Sequence, residues 1–432
     1  MKKSSIKLYL ISILIINASV ARVAYSVELP TPKPSMLIHP NPYFSKFVKQ
    51  VWRSNAHIQS AQTNVESAKY ELKQSSKPLY NPNIDLEGQY VFKDEREDTY
   101  TAGINQSIDL FNKRGAHAEV GHYGFVEANA NLQEQKLLIA SEALKSLTAY
   151  RVDESVVMLA KRRTQLLHRF VLESERKFKA GDIAQSEMDQ ARLAYTVAIS
   201  QQADEEVLLT QARQRLISVS QTNTLNWLKL PNTLPSPIYA SSFIRNQWLR
   251  QLPVIRFYDA QVEVAQSEVH VAAKEAKPDP TINVRSGVED KEPLVGFGLS
   301  MPLYVRNNYS DKVKAANRQA IASDQDRMNA YKISNAALNE SLVRYQILYK
   351  ASLKFDSASK DSFVGGIKLL NKLWSAGEIN TTDYIIQLKQ RINSQIDGVK
   401  LQGHAWDTWF SLMEYSGQLT TWLSIHDSRS VL

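Results

Sequence analysis

Two stretches of this chain repeat one another in order, and each couples a pair of alternating strands to a helix far longer than a globular core requires. In the later stretch, Ile282, Val284 and Val288, then Val295, Phe297, Leu299, Met301 and Leu303, occupy every second place. Asn283, Arg285, Glu289, Gly296, Gly298 and Ser300 occupy the others. Such a period of two gives a strand one apolar and one polar face. A helical run follows from Asn308 to Trp374, and the same order occurs earlier in Asn83 to Phe92, Tyr100 to Phe111 and Gly115 to Phe178. Matching residues keep a nearly constant separation, from 193 between Gly103 and Gly296 to 199 between Ala61 and Ala260. Ser107 with Ser300, Phe178 with Trp374, Ala180-Gly181 with Ala376-Gly377 and Ile183 with Ile379 fall between them in order. A series of this kind marks an internal duplication.

The duplication sets the domain plan. The apolar run Leu8 to Ile16 is too short to span a bilayer as a helix, follows Lys2, Lys3 and Lys7, and precedes small residues at Ala24 and Ser26. Residues 1–26 therefore read as a signal peptide cut after Ser26. Residues 27–42 hold five prolines and form an extended arm. The first repeat, 43–230, comprises a helix from Tyr43 to Ser76, a strand hairpin over 83–111, the long helix 115–178 and a return helix 184–220. A proline-marked linker, 231–242, leads to the second repeat, 243–425. That repeat has a helix from Phe243 to Ala276, a hairpin over 281–304, a long helix 308–374 and a return helix 380–423, with a tail at 426–432. Trp406, Trp409, Phe410 and Trp422 near its end read as packing anchors.

The strands alone leave two readings open, because a half-buried sheet in a soluble protein alternates in the same way. The four strands of one copy cannot close a barrel, and open edges are not tolerated in lipid. If the apolar faces meet lipid, the edges must join those of other copies: two copies give eight strands and three give twelve, the wider pore suiting transport. Strands of about ten residues match a tilted membrane span. The run 115–178 has no proline and would extend about 95 Å at ~1.5 Å per residue. Leu137, Leu144, Leu147, Leu166, Phe170 and others recur at spacings of three, four and seven, as in an antiparallel coiled coil. Glycine turns at Ala180-Gly181-Asp182 and Ala376-Gly377-Glu378 end the two long helices. Each copy thus carries two helix tips pointing the same way.

Composition excludes several classes. Net charge is +8, but Lys2, Lys3, Lys7 and Arg22 lie in the acid-free leader, leaving +4, so no nucleic-acid partner is implied. Cysteine is absent, which removes disulfides, thiolate metal sites and a lipid-bearing N-terminal cysteine. The eight histidines are scattered, and His117 and His122, five apart on one helix, do not turn both rings to one metal. No phosphate loop or serine elbow follows a strand, so the chain reads as no enzyme, with no cofactor and no metal site. A periplasmic coiled-coil adaptor is a rival reading, but it would set a compact β domain around one helical hairpin.

Signal peptide, strand hairpin, long helix, glycine-containing tip and return helix, twice over, resemble the TolC-type outer membrane efflux proteins from about Tyr43 to Leu423. The run Ile104-Asn105-Gln106-Ser107-Ile108-Asp109-Leu110-Phe111-Asn112-Lys113-Arg114-Gly115 is similar to the stretch after the first hairpin in the heavy-metal, CzcC-like branch. So is Gly296 to Asn307, with Ser300-Met301-Pro302-Leu303 and Val305-Arg306-Asn307. The resemblance implies an α+β membrane channel: a homotrimer with a twelve-stranded outer membrane β-barrel continued by a long α-helical periplasmic tunnel. It implies a periplasmic adaptor at the tips, an inner membrane resistance-nodulation-division pump, outer membrane lipid around the barrel, and cobalt-, zinc- or cadmium-like cations as cargo. A general duct for drugs or secreted proteins is the alternative.

Carried onto this chain, the adaptor-contact and aperture positions are Ala180, Gly181, Asp182, Ile183, Ala376, Gly377, Glu378 and Ile379. Asp383 falls at one acidic gate position of the family, while the other is Ile386 here. Asp182, Glu187, Glu378 and Asp383, repeated by symmetry, would form acidic rings that focus cations. For Asp182 and Glu378 the favoured reading is that of acids at helix N-termini, stabilised by the macrodipole.

Overall fold

The computed structural model describes residues 42–91, 97–222, 229–363 and 365–425. The signal peptide, nearly all of the proline-rich arm, Phe92 with most of the first hairpin's turn, and the C-terminal tail lie outside the described residues.

The helix expected over Tyr43 to Ser76 is two helices, α1 (Pro42–Ser54) and α2 (Ala56–Ser75). Pro42 opens α1, where a missing N–H costs nothing, so the arm ends one residue earlier than expected. Between the helices Asn55 is extended, and its Oδ1 accepts from the backbone of His57 at 2.9 Å and Ile58 at 3.4 Å. That capping geometry starts a new helix. The second repeat breaks at the matching place: α5 (Ser242–Gln251) ends before α6 (Pro253–Glu275), with Pro253 as its first residue. The single helix expected from Phe243 to Ala276 is therefore corrected by a proline that cannot sit inside one.

The strands β1 (Asn83–Val91), β2 (Glu97–Ser107), β3 (Thr281–Glu289) and β4 (Glu292–Ser300) form one antiparallel sheet in chain order. The two repeats meet where β2 pairs with β3, Asn105 opposite Asn283. β2 stops at Ser107, short of the expected Phe111, where Asp109 turns away to cap the next helix, accepting from the backbone of Lys113 and Arg114 at 2.8 Å each. β3 and β4 join through Asp290 and Lys291, at φ 48° and 69°, the left-handed pair of a two-residue hairpin turn. β4 likewise ends at Ser300, short of the expected Tyr304.

Helix α3 (Lys113–Ala180) runs unbroken for 68 residues and α4 (Gln185–Ser220) returns beside it. Its counterpart is interrupted: α7 (Ser310–Phe363) is followed by α8 (Gly366–Ser375). Gly365 adopts φ 81°, outside the helical region, so the helix expected over 308–374 is two pieces. The return helix α9 (Thr381–Tyr415) also ends early, at a turn through Gly417 (φ 67°), before the short α10 (Leu419–Trp422).

The helices lie side by side around α3. Toward the sheet α3 packs on α2 and α6, and α6 on α7; toward the tips α3 packs on α4 and α9, and α9 on α7. Between these zones Phe44 of α1 enters a nest of Trp406, Phe410 and Trp422, with Trp409 and Tyr345 beside it. All of these rings are buried, so the tryptophans are packing anchors.

Helix and sheet are pinned together by charge. Lys113 Nζ lies 2.9 Å from Asp279 Oδ2, both side chains buried, and the Tyr80 hydroxyl donates to the same oxygen at 2.7 Å. Removing one partner of such a pair strands the other charge. Lys113→Met is expected to lower unfolding stability by about 3–5 kcal/mol, with Lys113→Met/Asp279→Leu recovering most of the loss in denaturant titrations.

Deeper along α3, burial, aided by the charge of Glu414, pushes the Glu134 carboxyl up from 4.5 to about 7. The folded chain then holds a proton that the unfolded chain releases between those values, so this stability is present at low pH and lost as pH rises through about 7. Thermal melts should show Glu134→Gln removing a decline on the order of 3 kcal/mol between pH 4.5 and 7.5.

Candidate functional site

Two regions of the chain are built differently from a packed core: the paired helix tips and the sheet. At the first tip Ala180 closes α3, and Gly181 at φ 83° reverses the chain. Gly181 N–H bonds the Phe178 carbonyl at 3.0 Å and Asp182 N–H the Lys177 carbonyl at 2.9 Å. The second tip repeats this bond for bond, 196 residues on: Gly377 (φ 77°) to Trp374 at 3.0 Å and Glu378 to Leu373 at 2.9 Å. Both tips are glycine caps of the paired-bond type, and φ near +80° favours glycine strongly. Ala180, Gly181, Asp182, Ala376, Gly377 and Glu378 are exposed, while Ile183 and Ile379 turn partly inward.

The acids divide otherwise than expected. Asp182 and Glu378 sit in the turns that end α3 and α8, where they cannot act as first-turn acids. Those positions belong to Glu187 of α4 and Asp383 of α9. Asn380 caps α9, its Oδ1 accepting from Asp383 N at 2.8 Å, whereas Ala184 at the same place in the first tip offers no side-chain cap. Ile386 is exposed just beyond Tyr384, so no second acid joins Asp383 on that stretch.

The structure brings the two tips together through residues that periodicity does not single out. Lys177 Nζ donates to the carbonyls of Trp374 and Ser375, both at 3.3 Å, and lies 4.6 Å over the Trp374 ring. Thr382 Oγ1 donates to Gln190 Oε1 at 2.7 Å. Beneath, Phe170 stacks on Tyr384 with centroids 4.2 Å apart and meets Trp374 at 4.6 Å. Burial, with the charge of Glu173, raises the Tyr384 phenol to about 12. The only sequence trace of this clamp is that Trp374 stands where the first repeat has Phe178, a larger ring for a cation to cover.

The sheet has no helix over it among the described residues. One face carries Ile84, Leu86, Ile104, Val284, Phe297 and Leu299, all exposed, Phe297 to 81% and Leu86 to 80%. Tyr90 and Tyr100 join their hydroxyls at 2.9 Å toward one end of it, and Tyr304 and Tyr309 meet edge to face beyond the other. The opposite face is polar, with an amide chain from Asn283 to Asn105 to the Asp85 carboxylate. Gly103, Gly296 and Gly298 leave the backbone bare between these side chains. Strands β1 and β4 each have one unpaired edge. No described helix is long and apolar enough to cross a membrane, and no described group of three His, Asp or Glu side chains is placed to hold a metal ion.

The fold as a whole recurs in solved structures. CusC, whose structures report transmembrane channel formation, matches with a TM-score of 0.72 at 12% identity, over 90% of this chain and 95% of its own. The CmeC outer membrane channel of Campylobacter jejuni matches at 0.74 and 14%, over 87% and 85%. The open-state MtrE outer membrane channel of Neisseria gonorrhoeae matches at 0.70 and 16%, over 87% and 89%. The fold is that of the TolC-type outer membrane channels. No family model and no curated protein sequence matches the chain. In this chain the tips close α3 and α8 at the ends of the helical runs remote from the strands.

Replacing the left-handed glycine of the second tip tests its local cost. Gly377→Ala should destabilise the fold by about 1–2 kcal/mol, and Glu378→Ala by less than about 0.5 kcal/mol, in the same melting experiment.

Proposed function

We propose that this protein is the outer membrane component of a tripartite efflux system, a passive exit duct that catalyses nothing and carries heavy-metal cations. Three copies join β4 to β1, closing a barrel of twelve strands in the outer membrane, with the helices continuing as a tunnel in the periplasm. The observation that carries this reading is the sheet itself. Its apolar face is exposed, its other face is polar, and both edges are unpaired, an arrangement stable only when lipid covers the first and further copies close the rest. Tyrosines at both ends of the apolar face suit the two membrane interfaces. With no cysteine in the chain, no thioether lipid anchors it.

The helix edges left free support the same assembly. Leu193, Ile199, Val207 and Leu208 on α4, and Ile321, Ile333, Val343 and Ile347 on α7, are exposed in one copy, and side-by-side copies would cover them. The tips then gather at the tunnel's periplasmic end. The lysine clamp holds each pair closed until a periplasmic adaptor, working with a resistance-nodulation-division pump, spreads them. Asp182, Glu187, Glu378 and Asp383 supply negative charge at the entrance, which favours cations over anions as cargo.

A strain deleted for the gene, complemented with wild type or with Gly377→Pro or Gly181→Trp, tests the reading. Both variants should still give a heat-modifiable trimer band in outer membranes while losing tolerance to cobalt, zinc and cadmium. Wild-type metal tolerance in either variant overturns tip gating. Sensitivity to dyes and detergents with no change toward metals reassigns the cargo to drugs.

A further inference from the structure

Partway along α3 from the first tip, the apolar seam between α3, α4 and α9 is interrupted by charge. Arg163 of α3 is 6% exposed and lies among Val156, Ala160, Leu166 and Leu167. Its Nη1 donates to Asn393 Oδ1 of α9 at 3.2 Å, but its Nε has no hydrogen-bond partner. Glu205 of α4 has the complementary fault: Oε1 stands 3.6 Å from Lys400 Nζ of α9, and Oε2 is buried without a partner.

The register of the helices puts these two faults beside each other. Lys161 of α3 pairs with Glu206 of α4 at 3.1 Å, and Thr164 Oγ1 donates to the Ala198 carbonyl at 3.3 Å, so Arg163 and Glu205 occupy adjoining turns of the same hairpin. Glu205 is also the carboxylate whose charge acts on Arg163, and on Asp153 one layer higher. The buried Arg163 and the half-buried Glu205 thus forgo each other, on their own hairpin, for partners on the neighbouring one. An unpaired guanidinium N–H and a carboxylate oxygen, both out of water, are costly to leave so.

We infer that Arg163 is a two-position switch, bonded to Asn393 when the second hairpin lies against the first and to Glu205 when α9 moves away. This rests on the duct reading above, because separating the hairpins is what widening a tunnel requires. Parting breaks the Arg163–Asn393 hydrogen bond and the Glu205–Lys400 ion pair together. It leaves Arg163 and Glu205 to pair within the first hairpin, where a charge-assisted bond compensates for both. These charges therefore bring the open and closed arrangements closer in energy than an all-apolar seam would. The switch acts by positioning helices and touches no cargo.

Single-channel recording of the full-length chain in planar bilayers tests this with three substitutions. Asn393→Leu removes the closed-state acceptor and should raise the ratio of open to closed time about tenfold. Glu205→Gln removes the open-state ion pair together with the partly exposed closed-state pair to Lys400 and should lower the ratio by less than about tenfold. In an Arg163→Met background Asn393→Leu should have no effect, and Glu205→Gln, which then removes only the closed-state pair to Lys400, should raise the ratio, a reversal that a merely structural role would not produce. Opposite shifts, the first abolished and the second reversed without Arg163, support the switch. Equal shifts, shifts of the same sign, or the same two shifts persisting in Arg163→Met overturn it while leaving a conducting duct intact. A wild-type chain that trimerises in outer membranes yet never conducts overturns the duct reading, and the switch with it.

Discussion

Everything in this chain follows from a sheet that cannot satisfy itself. Four antiparallel strands leave a row of backbone donors and acceptors on β1 and another on β4, and an apolar face that nothing among the described residues covers. Water would meet the edges but not the face; lipid would meet the face but not the edges. The closed ring of strands in a bilayer proposed above resolves both at once. The helices answer to the sheet. Asp109 stops β2 and caps α3, and Lys113, Asp279 and Tyr80 lock that first turn onto the base of β3.

Much of this is legible in the sequence because the informative residues obey one period over long stretches. The alternation in Thr281 to Ser300 names the sheet faces, and the duplicated Ala-Gly pairs name both tips. What periodicity misses are single-residue interruptions. Asn55 looks like one more polar residue on a helix surface, yet its side chain caps α2. Pro253 is a visible breaker whose neighbours keep a helical spacing on both sides of it. Gly365 and Gly417 lie inside stretches whose apolar spacing carries on across them, so the pattern continues while the backbone does not. The tip clamp is harder still. Lys177 and Trp374 are 197 apart in sequence, and nothing local indicates that a lysine at the end of one helix bonds carbonyls at the end of another.

The two tips share one backbone geometry and differ in their chemistry. Both tips retain the same two backbone bonds around a left-handed glycine, which constrains that residue whatever surrounds it. The capping side chain is present only in the second, at Asn380, and where the first has Phe178 the second has Trp374, the ring that Lys177 covers. Buried polar groups follow the same division, since Arg163 and Glu205 belong to the first repeat and their bonded partners, Asn393 and Lys400, to the second. The bonds that tie one hairpin to the other are therefore the places where the repeats have diverged.

The break at Gly365 gives that divergence a mechanical meaning. One hairpin continues an unbroken helix of 68 residues, and the other a helix interrupted above its last 10 residues. On the gating proposed above, a push delivered equally to both tips meets a continuous rod on one side and a divided one on the other, with Lys177 coupling the two. Strut and lever are then the two mechanical parts that one duplicated unit supplies.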